Sequence, residues 1–249
     1  MSLLPRFMVI ALFGLSHIAA HAADPSAIWH IDHDKCVPHM QEAHDPSPCA
    51  TVDLNDGYVI LKDRDGATQY LLMPTARISG IEDPAVLAPG VTNFWDRAWR
   101  ARTLTEDRAG KPLPRDALSL AINSPYGRTQ DQLHIHIDCV RPDVREALGA
   151  HRDSVGPRWA AFPVTLAGQP WRAIRVDGEN FAAVDPFQLL AKGDPPAAAD
   201  MEKHTLVAVG MTWSDGVPGF VVLDGTLDLL AGDRASGEIL QDHDCALAR

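Results

Sequence analysis

The seven residues Gln132-Leu-His-Ile-His-Ile-Asp138 alternate polar and apolar side chains without a break, and no other stretch restricts the fold as much. A period of two belongs to a β-strand, whose successive side chains leave on opposite faces; a helix would scatter the same residues around its circumference. The pattern predicts a strand with one buried and one wet face. Leu133, Ile135, Ile137 and Cys139 would point into a core, and Gln132, His134, His136 and Asp138 would stand in a row opposite. Two imidazoles on alternate residues lie about 7 Å apart, close enough to address one small anionic group. Asp138 is expected to face solvent.

The flanking sequence supplies partners for this strand. Ala117 to Ile122 is short, apolar and bounded by Pro114 and an Asn-Ser-Pro turn, so it reads as a buried strand pairing with the histidine strand. The loop between them, Asn123 to Gln130, is rich in amides and hydroxyls, carries Arg128, and must lie beside the histidines. Upstream, Tyr58 to Lys62 and Gln69 to Met73 form a predicted hairpin around the Asp65-Gly66 turn. A second hairpin is expected from Thr205 to Met211 and Gly219 to Leu223, around Ser214-Asp-Gly216.

Helical signals are fewer. Asp83-Pro84 offers an N-cap and a first-turn proline for a short helix. Phe94, Trp95, Ala98 and Trp99 recur at helical spacing with Gly110 as the stop, and both tryptophans are assigned to core packing. Arg141-Pro142-Asp143 opens a helix running to about Leu148, closed by Gly149. Ala182 to Ala191 leans helical after its proline, Lys192 to Ala199 reads as a loop or weak linker, and a terminal helix is expected near Cys245. His30, His33, His39 and His44 match no compact ligand spacing, so residues 24 to 50 are expected to form a polar surface loop rather than a metal site. Repeats, a Gly-rich phosphate loop, a Gly-x-Ser-x-Gly elbow and a Cys-x-x-Cys pair are all missing from the sequence.

Composition limits the partners. The 249 residues carry 22 Lys plus Arg against 33 acids, a formal charge of −11, which argues against general binding to nucleic acid or anionic lipid through a broad basic surface. An anionic substrate must therefore be held locally. Arg6, the apolar run Phe7 to Leu15 and Ala20-His21-Ala22 read as an export signal over residues 1–22, with a retained membrane anchor as the competing reading. Residues 23–249 then form one domain. Export implies an oxidising compartment, so Cys36, Cys49, Cys139 and Cys245 suggest two disulfides. Of three possible pairings, Cys36 with Cys49 and Cys139 with Cys245 is favoured, the second tying the C-terminus to the back of the histidine strand.

Three uses of a His-x-His strand compete on residue types alone: ligating a metal, with Asp138 as a conceivable third ligand; a structural pair; or one imidazole attacking phosphorus while its neighbour handles protons and charge. The donor-rich loop favours the third, because phosphoryl oxygens need such donors.

The stretch Asn123 through GRTQDQLHIHIDCVRPDVR closely resembles the CDP-diacylglycerol diphosphatases, a histidine-triad-like family. The likeness extends to Pro46-Ser-Pro-Cys49-Ala, Gly57 to Asp63, Gln69 to Thr75, and Arg234-Ala-Ser236 through Gln241-Asp-His-Asp-Cys245, so it spans the mature chain. It implies an α+β, histidine-triad-like fold, an antiparallel sheet with flanking helices and a family-specific extension. It also implies hydrolysis of CDP-diacylglycerol to CMP and phosphatidate at the periplasmic face of the inner membrane, without a metal or other cofactor. His134 matches the nucleophile and His136 the last histidine of the triad, which would donate to phosphoryl oxygens. Asn123 and Thr129 match phosphate-contacting positions, and Asp63 matches an acid that holds the ribose. Gln132 replaces the first histidine; it can hydrogen-bond but cannot carry a proton. A hydrolase or transferase of soluble nucleotides, and an exported metal-binding protein, stand as the alternatives.

Overall fold

The computed structural model describes residues 24–249; the expected export segment lies outside them. Nine strands form one sheet: β1 (Thr51–Asp53), β2 (Tyr58–Lys62), β3 (Tyr70–Pro74), β4 (Leu118–Ile122), β5 (Ile135–Cys139), β6 (Ala160–Ala161), β7 (Arg172–Asp177), β8 (His204–Thr212) and β9 (Pro218–Thr226). Their spatial order is β1-β2-β3-β5-β4-β8-β9-β7-β6, and every neighbouring pair is antiparallel. The histidine strand is thus central, between β3 and β4. Both expected hairpins are present, and β4 pairs with β5 as its apolar run requires, Leu120 opposite Ile137 and Ala121 opposite His136.

The register separates two faces. Tyr70, Leu72, Leu120, Ile122, Ile135, Ile137, Leu206, Ala208, Phe220 and Val222 share one face and the largest core, with the helices Phe94–Arg100 and Pro186–Gly193 laid over it. Trp95 and Trp99 are buried there, the expected packing role, and Trp99 stands edge-on to Phe220. Each such side chain buries roughly 150–250 Å², worth about 4–6 kcal/mol before entropy is counted.

The opposite face carries two separate apolar clusters. Val59, Leu61, Leu71 and Met73 pack against Ile28, Ile31 and Val37 on one flank, and Ala121, Val207, Val209, Val221 and Leu223 pack against Val144, Leu148 and Leu240 on the other. His134 and His136 stand in the gap between them.

Four sequence expectations change. Residues 24 to 50 are not a surface loop: Ala27–Ile31, a π-helical turn Asp32–Cys36 and Val37–Ala43 run on as one helical segment. Its inward row Ile28, Ile31 and Cys36 covers β2 and β3; the interspersed histidines and acids hid this stripe. The aromatic helix breaks after Arg100 and resumes as Thr103–Ala109, where Gly110 caps it in the left-handed conformation. Gly149 does not end its helix, which continues to His151. Lys192 to Ala199 contains a helix, Pro195–Ala199, started by the Asp194 carboxylate and seated through buried Ala197.

Both favoured disulfides are present, Cys36–Cys49 with Cα atoms 5.7 Å apart and Cys139–Cys245 at 5.3 Å. The second closes a separation of 106 residues and draws the C-terminal segment onto the end of β5.

Candidate active site

The polar face of the histidine strand is not wet. His134 is 7% exposed, His136 4%, and Gln132 and Asp138 are fully buried. The polar side chains cluster in the sequence because they serve one another, not because water reaches them. His136 and Asp138 are covered by the segment Ser236 to Cys245, held by backbone bonds from Arg141 to Leu240 and from Asp242 to Cys139.

The ring centroids of His134 and His136 are 4.9 Å apart and the planes meet edge to face, so the imidazoles lean together beyond what strand geometry alone imposes. His134 Nδ1 lies 2.6 Å from the Gln132 carbonyl oxygen. A carbonyl can only accept, so Nδ1 holds the ring proton and Nε2 carries the free lone pair. Burial pushes the His134 pKa down, keeping the ring neutral near pH 7. The result is an oriented, neutral ring with a lone pair on Nε2.

His136 has the complementary tautomer. The Gln69 amide nitrogen hydrogen-bonds to His136 Nδ1 and, at 3.1 Å, to Glu238 Oε1. Because that carboxylate must accept, the nitrogen end of Gln69 is fixed there and His136 Nδ1 is an acceptor, which leaves the ring proton on Nε2. The Asn123 amide nitrogen, 3.5 Å from Nε2, is already donating to Glu238 and makes a long contact there instead of a hydrogen bond. Burial lowers the His136 pKa to about 3. A neutral ring that presents N–H is a hydrogen-bond donor, the group that phosphoryl oxygens require.

Behind the rings lies a network that residue patterns did not reveal. His243 Nδ1 donates to Asp138 Oδ2 at 2.8 Å, and its Nε2 lies 3.3 Å from Glu238 Oε1. Hydrogen bonds to Asp138 and then Glu238 raise the His243 pKa to about 10, so this ring is a cation at neutral pH. Burial works against ionised Glu238, but bonds from His243, Gln69 and Asn123 outweigh it and hold its pKa below the usual carboxylate range. Asp138 also accepts from Thr68 Oγ1 at 2.6 Å and Cys139 N at 2.8 Å. The expectation that it faces solvent is wrong: the carboxylate is a buried anchor for His243.

The other expected site residues divide. Asn123 is at the centre, donating to Glu238 Oε2 at 3.1 Å and accepting through Oδ1 from Ser236 Oγ and Glu238 N. Asp63 is close enough for its charge to act on His134, and burial raises its own pKa. Gln132 turns to the main chain, its amide nitrogen donating to the Pro74 and Ala76 carbonyls, so it fastens β5 to the end of β3. Thr129 is exposed and makes no side-chain hydrogen bond among the described residues. Arg128, which suggested a phosphate donor, is held by both oxygens of Glu82 at 2.8 and 2.7 Å. Of the N-terminal histidines, His30 bonds to Asp34, His39 to the Ser47 carbonyl, and His33 stacks on Trp29.

Gln69, Ser236, Glu238, Gln241 and His243 are the functional neighbours missed by residue-level reasoning. The resemblance already ran through the stretches that hold them, and a Cys139–Cys245 bridge brings residue 243 within reach of the strand. Gln241 completes the clamp, its amide nitrogen 3.1 Å from Ser119 Oγ and 3.3 Å from the His136 carbonyl oxygen.

Comparison with known proteins accords with this arrangement. A family model described as CDP-diacylglycerol pyrophosphatase matches residues 23–249. A protein of that description from Yersinia pestis is 41% identical over 223 residues, covering 90% of this chain and 85% of the relative. A match of that extent takes in the two imidazoles, the Gln69 amide and the whole C-terminal clamp, and on that ground the chain belongs to the CDP-diacylglycerol pyrophosphatase family.

Proposed function

We propose that this protein hydrolyses CDP-diacylglycerol to CMP and phosphatidate in a histidine-triad-like site, through a covalent cytidylyl intermediate on His134. The observation that carries the reading is the bond from His134 Nδ1 to the Gln132 carbonyl, which leaves Nε2 free on a neutral ring. The family membership and the name of the Yersinia pestis relative supply the substrate.

In the first step the Nε2 lone pair attacks the phosphorus that bears cytidine. A P–N bond forms as the bridging P–O bond breaks, and phosphatidate leaves with that electron pair. The proton stays on Nδ1, hydrogen-bonded to the Gln132 carbonyl, which steadies the charge gained by the ring. Water then attacks the same phosphorus, the P–N pair returns to Nε2, a proton passes to solvent and CMP departs. His136 Nε2–H donates to a non-bridging oxygen in both steps, where charge accumulates. Asp63, near His134, is placed to accept from a ribose hydroxyl. No step requires a cofactor.

The setting we propose is the periplasmic face of the inner membrane, supported by the export-type N-terminal sequence and the two disulfides. Mass spectrometry of enzyme quenched during turnover should find a cytidylyl group on the peptide carrying His134. An adduct elsewhere, or full turnover without one, would sink the mechanism. Equal rates on CDP-diacylglycerol and on soluble dinucleotides would remove the lipid from the claim.

A further inference from the structure

The most exposed large apolar side chain of the described residues is Leu230, fully open to solvent, with Leu229 beside it at 59%. The two occupy the tip of a turn too well fastened to fold them away. Asp228 and Asp233 exchange backbone hydrogen bonds of 3.0 and 2.8 Å across its base. Asp228 Oδ1 accepts from the Leu230 and Ala231 amides at 3.1 Å, and Gly232 closes the turn at φ +79°. Two adjacent leucines on a well-fastened projection, with no cover from the described residues, are an unusual exposure of apolar surface.

The position of the turn is as telling as its composition. It leads directly into the clamp: Asp233 Oδ1 accepts from Ala235 N, the Arg234 and Ala235 carbonyls accept from Ser124 Oγ and N, and Ser236 Oγ donates to Asn123 in the site. The loop after Asn123 presents Tyr126, 44% exposed. Arg234 is exposed and has no ion pair among the described residues. Lys203, half exposed, is paired with Asp200 at 2.8 Å and accepts the Leu227 amide on its carbonyl. The first described residues, Asp24 and Pro25, bond through their carbonyls to Gln130 and Asp131 of the same loop that holds Tyr126.

We propose that the Leu229-Leu230 turn dips into an anionic bilayer at the mouth of the active site, with Tyr126 at the headgroup level and Arg234 on a lipid phosphate. Paired leucines, an interfacial aromatic and an unpaired arginine are the combination that a lipid–water boundary receives. The proposal rests on the lipid-substrate reading above: with the acyl chains left in the bilayer, only the diphosphate and cytidine need to rise to His134. The turn is then the piece that sets the height of the site above the membrane.

The test uses the full chain. Leu230→Trp should be quenched by brominated phosphatidylcholine vesicles containing phosphatidylglycerol, beyond any quenching of the native tryptophans. Leu229→Ser with Leu230→Ser should lower kcat/KM on CDP-diacylglycerol in such vesicles by about tenfold or more, as losing two buried leucines implies. Its rate on a soluble ester such as CDP-glycerol should match wild type. No extra quenching in the Leu230→Trp variant, together with unchanged vesicle kinetics in the double serine variant, would overturn the proposal and leave the turn to a protein partner; equal losses on both substrates would overturn it too. Failure of wild type to cleave CDP-diacylglycerol would count instead against the substrate reading, since quenching reports the turn independently of turnover.

Discussion

Two imidazoles two residues apart, His136 on β5 and His134 just before its first residue, are put into opposite tautomers by their partners, and that difference assigns their work. His134 donates its Nδ1–H to a main-chain carbonyl and keeps a lone pair on Nε2; His136 accepts a hydrogen bond from Gln69 at Nδ1 and keeps its Nε2–H as a donor. Replacing His134 by Ala is expected to lower kcat by roughly 10⁴-fold or more, as loss of a covalent nucleophile does, with unchanged circular dichroism. Retained activity in a single-turnover assay would contradict the role. His136→Ala is expected to cost about 10²–10³ in rate, the scale of one lost charge-stabilising donor, and steady-state kinetics would show it. The sequence displayed both histidines plainly. It could not display their tautomers, because these depend on Gln69 and on a carbonyl, neither of which the alternation encodes. Asp138 shows the same limit: a polar residue in an alternating strand reads as exposed until a distant histidine covers it.

Among elements, the clamp from Ser236 to Cys245 is the least regular and the most consequential. Its 3₁₀ turn, Gly237–Leu240, fits because Gly237 has no side chain: a Cβ there would stand 2.6 Å from Val207 Cγ2 and 2.8 Å from Thr205 Oγ1. Gly237→Ala should therefore push Glu238 off Asn123 and Gln69, destabilising the fold by about 1–3 kcal/mol, as overpacking does. Activity should fall further than this loss of stability accounts for, and denaturant unfolding set beside initial rates separates the two. Strands and hairpins were readable because period-two patterns and Asp-Gly turns are local. The clamp was not, because its shape follows from side chains far away in the sequence. The N-terminal helix was hidden for a related reason, its apolar stripe being broken by a buried acid, Asp32, and by a π-helical turn next to Pro38, which lacks the N–H that a regular turn would use.

Whole-molecule stability should record two of these buried groups. His243 titrates near pH 6.5 unfolded and about 10 folded. Its contribution is fully present below about 6.5 and is lost as pH rises through 10, since the folded state holds the extra proton in between. Wild-type Tm should fall across that window more steeply than the Tm of His243→Gln. Asp32 acts on another window: buried without a hydrogen-bond partner among the described residues, it has its pKa raised by burial to about 7. Between pH 3.8 and 7 the folded state keeps a proton that the unfolded chain has lost, so stability declines and stays reduced above 7. Asp32→Asn should raise Tm at pH 8 by a few degrees, what about 1–2 kcal/mol gives in a chain of this size, and by little below about pH 4. A variant no more stable at pH 8 than wild type would show that the ionised carboxylate finds a partner.

The bridge from Cys139 to Cys245 also imposes an order of events on biosynthesis. The strand with both histidines leaves the ribosome about a hundred residues before Glu238 and His243 do, and a growing chain holds only half of its chemistry until nearly the last codon has been read. Locking that late half in place further requires an oxidant, which the cytosol withholds. In the exported setting proposed above, a newly made copy is thus inert towards lipids inside the cell that builds it, and becomes competent only after synthesis, transport and oxidation are all complete.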